Sequence, residues 1–197
     1  MFKRRAGLGL FTLSLLLLGL GCISPKSYVD PALPKVEAAS INRDDPKIVA
    51  LEAQFFRQGK RLPKADAQVQ NQVRTQLLAS GAVKEVLARP DPALPLLHVE
   101  LNNVGDTGAA VGKGIGTGLT FGLVGSRVTD GYVFTAILKR PGQPDLQKIY
   151  NHAIHTTIGN KKGPEGLEPM TTQLAFEKVV EGLVLNMVKD FQAEGAL

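Results

Sequence analysis

Only a few residues in this 197-residue chain have types and spacings that could do chemistry. His152 and His155 stand three apart and, with His98, are the only histidines. A pair of imidazoles can hold a transition metal. On a strand, however, residues three apart point to opposite faces, so a single ion could not take both. They are expected as surface or interface histidines, and His98 shows no partner in the sequence. Gly112-Lys113-Gly114 suggests a phosphate loop, but Thr107 occupies the place of the first glycine and Gly114 that of the hydroxyl residue. G-x-G-x-x-G fails at Thr117. Ser126 lacks a G-x-S-x-G context, and Asp130 before Gly131 is expected as a turn residue. No catalytic constellation emerges, and the expectation is a non-enzymatic protein without metal or cofactor.

Cys22 is the single cysteine, and its setting gives it a different meaning. It closes MFKRRAGLGLFTLSLLLLGLGC, in which Lys3, Arg4 and Arg5 precede a charge-free apolar run from Ala6 to Leu20. That is the layout of a signal peptide over residues 1–21. With Gly21 before Cys22, the segment resembles the lipobox of bacterial lipoprotein precursors. Gly19 and Leu20 depart from the family's usual Leu and small residue. The resemblance implies that Cys22 is the lipidation site, diacylated on sulfur (palmitate-type chains), with cleavage before it and acylation of the new amine. Ile23, which is not Asp, implies sorting to the outer membrane, with the domain facing the periplasm. One acyl chain holds a protein only marginally, whereas three hold it essentially permanently. The same modification would consume the only thiol and leave the fold without disulfides.

The formal charge of +5 includes Lys3, Arg4 and Arg5, so the part beyond the signal carries about +2. Its basic residues are dispersed among acids with no tract interleaved with aromatics, and nucleic acid is excluded as a partner on that ground. Residues 22–46, with Pro25, Pro31, Pro34 and Pro46, are expected as a tether containing a short strand near Lys35–Ile41. Residues 47–197 are enough for one domain.

Within that domain, KIVALEAQFF alternates as a strand does. ADAQVQNQVRTQLLASG is a helix, with Asp66 as its expected N-cap, Val69, Val73 and Leu77 on one face, and Gly81 at its stop. Strands follow around Val83–Leu87 and in LLHVELNNV. DGYVFTAILKR and QKIYNHAIHTTIG form a hairpin about PGQPD. Met170 to Phe191 is an amphipathic helix with Phe176, Val180, Leu183, Met187 and Phe191 in one stripe. The fold class expected is α+β, a two-layer sandwich with two helices on one face of a four- or five-stranded, mostly antiparallel sheet.

A glycine-rich insert, residues 105–127, interrupts this pattern. Gly108, Gly112 and Gly116 are spaced as in close-packed membrane helices, resembling glycine-zipper segments. Ile115 to Leu123 instead alternates as a membrane strand would, and a loop packed on the domain is the third reading. Leu119, Phe121 and Leu123 are its candidate apolar anchors for a membrane or partner contact, since apolar residues in such a context are costly to leave uncovered.

As a whole, the layout is similar to small envelope lipoproteins of the lipopolysaccharide-assembly and curli-secretion types, without a diagnostic motif. The resemblance implies a binding or scaffolding role in envelope assembly or maintenance. The partners would be the membrane, through the lipid anchor, and an envelope protein or a second copy of the chain. The alternative is a subunit of an oligomeric pore or secretion complex.

Overall fold

A computed structural model describes residues 25–106, 127–158 and 162–197. The strands are Lys26–Val29 (β1), Lys47–Arg57 (β2), Lys60–Arg61 (β3), Val83–Leu87 (β4), Leu96–Asp106 (β5), Arg127–Lys139 (β6) and Leu146–Thr157 (β7); the helices are Asp66–Ser80 (α1) and Thr172–Ala193 (α2). Both helices cover one face of a mostly antiparallel sheet, the expected two-layer α+β sandwich. The sheet has seven strands, not four or five. The two extra ones, β1 and β3, are too short and too polar to show a period of two.

The sheet runs β1-β7-β6-β5-β2, and β3 and β4 share the far edge of β2. β4 and β5 pair with β2 in parallel, and the remaining ladders are antiparallel. Alternation decides which face is buried. Leu97, Val99 and Leu101 of β5 stand opposite Leu138, Ala136 and Phe134 of β6, and all six are buried. They meet Val69, Val73 and Leu77 of α1 and Val180, Leu183, Met187 and Phe191 of α2 in one core. Phe176, the remaining member of the expected α2 stripe, packs at the core's margin, its ring 5.8 Å from that of Tyr132.

Asp66 does not cap α1. Ala65 holds the N-cap position, which frees the Asp66 carboxylate to accept the Phe55 N–H at 2.8 Å and to pair with Arg61. Its neighbour Gln70 accepts the Ala53 N–H at 2.6 Å and donates to the Leu51 carbonyl at 2.7 Å. These contacts fill a gap, because β4 pairs only with Lys47–Ala50 and β3 only with Phe56 and Arg57. The edge of β2 between them is thus satisfied by helix side chains. Gln70→Leu should leave two such backbone groups unpaired and lower stability by about 2 kcal/mol, read from urea unfolding at unchanged m-value. Gly81 closes α1 at φ +77°, and a Cβ there would meet Arg43 Cδ at 2.8 Å.

The segment expected as a tether packs on the domain from Pro25 onward. β1 pairs with β7, and Val36 and Ile41 enter the core. The prolines prevent a continuous ladder, so side chains of α2 hold the backbone instead. Asn186 donates to the Pro34 carbonyl, and Gln192 both accepts from and donates to the backbone of Asn42. The strand expected near Lys35–Ile41 is instead a single 3-10 turn at Ala38–Ser40. Asp130 is a ladder residue within β6, opposite Asp106 and Ile154, not a turn. The irregularity lies one strand earlier, at a bulge between Asn103 and Gly105, where Gly105 takes φ +72°.

Candidate functional site

Cys22, Gly108, Gly112, Gly116, Leu119, Phe121 and Leu123, the residues singled out in the sequence, lie outside the described residues. The strands that flank them fix where their segments join the domain. Lys26, the first residue of β1, pairs with Thr157, and Thr157 pairs with Arg127, the first residue of β6. Strands lie about 4.8 Å apart, so these two starts stand roughly 10 Å from each other across one rung. Asp106, where β5 ends, belongs to the same end of the sheet, opposite Asp130. Cys22 precedes Lys26 by four residues, a reach of at most about 14 Å. The chain therefore leaves the sheet toward Cys22 and toward the glycine-rich insert at one end. Val128 and Ile158 stand there largely uncovered, 48% and 54% exposed. Among the described residues, no helix is long and apolar enough to cross a membrane.

A polar chain braces this end. Asp30, just after β1, has Oδ2 2.9 Å from His155 Nε2, and His155 Nδ1 lies 3.0 Å from the Thr129 hydroxyl. Asp30 Oδ1 accepts the Ala32 N–H at 2.7 Å. Asp30 and His155 are each 2% exposed. Burial raises the Asp30 pKa, but hydrogen bonds from His155 and Ala32 and the charge of the histidines outweigh it, so the carboxyl titrates below its ordinary range. The order carboxylate, imidazole, hydroxyl is that of a nucleophile-activating relay. Here it joins β1, β7 and β6 side by side and works as a transverse brace. Sequence reading missed Asp30, because nothing in VDPALP marks a residue that meets its partner 125 positions away.

His152 faces the other side of β7, opposite Tyr132 and near Gly182 of α2. The spacing of three thus separates the two histidines, as the strand period requires. Burial, only partly offset by the charge of Asp30, lowers the His152 pKa to about 4. The unfolded chain takes up its proton near 6.5, before the folded one does. The contribution of neutral His152 is therefore complete above pH 6.5 and is lost as pH falls toward 4. The loss over that window should reach about 3 kcal/mol, and urea titrations of His152→Leu should lack this slope. Asp30, with its lowered pKa, adds to the loss only below its ordinary value of 3.8. His98, which showed no partner in the sequence, sits between Glu52 and Glu100 at 3.6 and 3.5 Å.

No protein-family profile matches the chain, and no curated protein matches it. Solved structures do resemble it. A minor lipoprotein from Acinetobacter baumannii shares 14% identity, with 75% of this chain and 94% of that chain covered and a TM-score of 0.40. Rare lipoprotein B from Shewanella oneidensis shares 9% identity, with 76% and 93% covered and a TM-score of 0.39. The PelC dodecamer from Paraburkholderia phytofirmans shares 13% identity, with 83% and 94% covered and a TM-score of 0.31.

Proposed function

We propose that this chain is a lipid-anchored envelope protein, held at Cys22 in the outer membrane with its domain in the periplasm. It acts without catalysis, by binding or scaffolding at the membrane surface. The observation that carries this reading is the rung Lys26–Thr157–Arg127. It joins the strand that follows the lipidation site to the strand that follows the glycine-rich insert. Because β1 begins four residues after Cys22, the domain has little slack, and this end of the sheet is kept close to the lipid. Leu119, Phe121 and Leu123 then belong to a segment whose attachment points lie at the membrane-side end, with exposed Val128 and Ile158 beside them. Gly108, Gly112 and Gly116 allow close approach of whatever that segment meets.

Photoreactive residues at Leu119, Phe121 and Leu123 in intact cells test the reading, with adducts identified by mass spectrometry. Adducts to lipid or to one discrete envelope protein are the expected result. Adducts confined to the chain's own domain would overturn it. The triple substitution Leu119→Ser, Phe121→Ser, Leu123→Ser, made without photoreactive residues, should abolish co-purification of that partner or self-association while leaving the thermal midpoint of the domain in place.

A further inference from the structure

Between residues 29–36, β7 and α2 the sandwich leaves a cavity of about 400 Å³, within the range of small-molecule sites. Val29, Leu33, Val36, Met170 and Leu185 wall it, and among the described residues no Phe or Tyr side chain lines it. His152 reaches it from β7, only 5% exposed, and turns its Nε2–Cδ2 edge toward Gly182 on the cavity wall. Its Nδ1 is buried without a hydrogen-bond partner, although buried polar groups are otherwise paired almost without exception. The charged groups around the cavity are already engaged. Lys178 pairs with Glu181 at 2.7 Å and Lys35 with Glu37 at 2.9 Å, and both carboxylate oxygens of Asp30 accept hydrogen bonds.

We propose that this cavity binds the aliphatic chain of an uncharged amphiphile, whose amide, ester or hydroxyl group hydrogen-bonds to His152. Aliphatic walls suit a flexible chain, and an anionic head would have to compete with Glu37 and Glu181 for Lys35 and Lys178. At neutral pH the imidazole is uncharged and carries one donor and one acceptor, so it can serve a carbonyl or a hydroxyl. Gly182 keeps the space open. A Cβ there would lie 3.5 Å from both His152 Nε2 and Leu33 Cδ2, and a longer side chain would extend into the void.

The test uses the full chain in nanodiscs and a decanamide bearing a diazirine on its alkyl chain, with labelled peptides mapped by mass spectrometry. Saturable labelling of residues 29–36 and 170–185 is expected, displaced by decanamide and about tenfold less effectively by decanoate. Gly182→Leu should remove it. His152→Phe, which keeps the ring and removes the nitrogens, should weaken it about tenfold. Labelling that does not saturate, that survives both substitutions in folded protein, or that decanoate displaces equally well would overturn the proposal. A Cys22→Ser arm distinguishes two sources of the same chemistry. Stronger labelling there assigns the cavity to the chain's own acyl group, and unchanged labelling assigns it to a free amphiphile.

Discussion

Phe134→Ala is expected to lower the stability of the domain by about 3–5 kcal/mol. The ring is fully buried at the middle of β6, opposite Leu101 on one side and Tyr150 on the other, with its centroid 6.3 Å from that of Tyr150. Its neighbours cannot collapse easily into the space it leaves. β5 is held by ladders on both sides, and Tyr150 of β7 is tied to α2 by its hydrogen bond to Asp190 at 2.7 Å. A loss of this size is a large share of the 5–15 kcal/mol typical of a whole domain. Urea unfolding should show a lower midpoint at unchanged slope. Phe134→Leu, which retains most of the volume, should cost less than half as much.

Asp30→Ala is expected to cost a similar amount, about 3–5 kcal/mol, for a different reason. It removes the carboxylate that buried His155 Nε2 and the Ala32 N–H contact at 2.9 and 2.7 Å. Asp30→Asn retains an oxygen and a dipole at the same place and should cost clearly less. Hydrogen exchange checks the location of the damage. Protection should fall in β1 and in the Arg127–Asp130 part of β6, while Leu97–Leu101 of β5 keeps its protection in the folded ensemble. Equal loss throughout the sheet would show that the brace does not act locally.

How far these features were legible in the sequence depended on their range. α1 was visible because Val69, Val73 and Leu77 repeat every four residues and Gly81 stops them. The β6–β7 hairpin was visible because PGQPD separates two alternating runs. Both signals are local. β1 was hidden because KSYV carries no period and owes its place to β7, more than a hundred residues away. The parallel pairing of β2 with both β4 and β5 was hidden for the same reason, since alternation reports a buried face and says nothing of which neighbour lies alongside. Proline content made residues 25–46 look loose, yet carbonyls without a ladder could still be met by Asn186 and Gln192 of α2. The opposite faces of His152 and His155 followed from strand parity alone. That His155 would meet Asp30 did not, and neither did the cavity beside His152, which exists only where three separate segments come together.

The way the edge of β2 is closed bears on how this chain avoids its own copies. An unpaired strand edge is a template for a strand from another molecule. Here the middle of that edge is occupied by the Gln70 amide and the Asp66 carboxylate, groups that satisfy the backbone but cannot propagate a ladder. The protection arrives only when α1 folds back onto β2, so the order of events matters. A chain whose α1 forms late would present β2 open, and the same sequence that yields a closed sandwich would then feed intermolecular sheet growth.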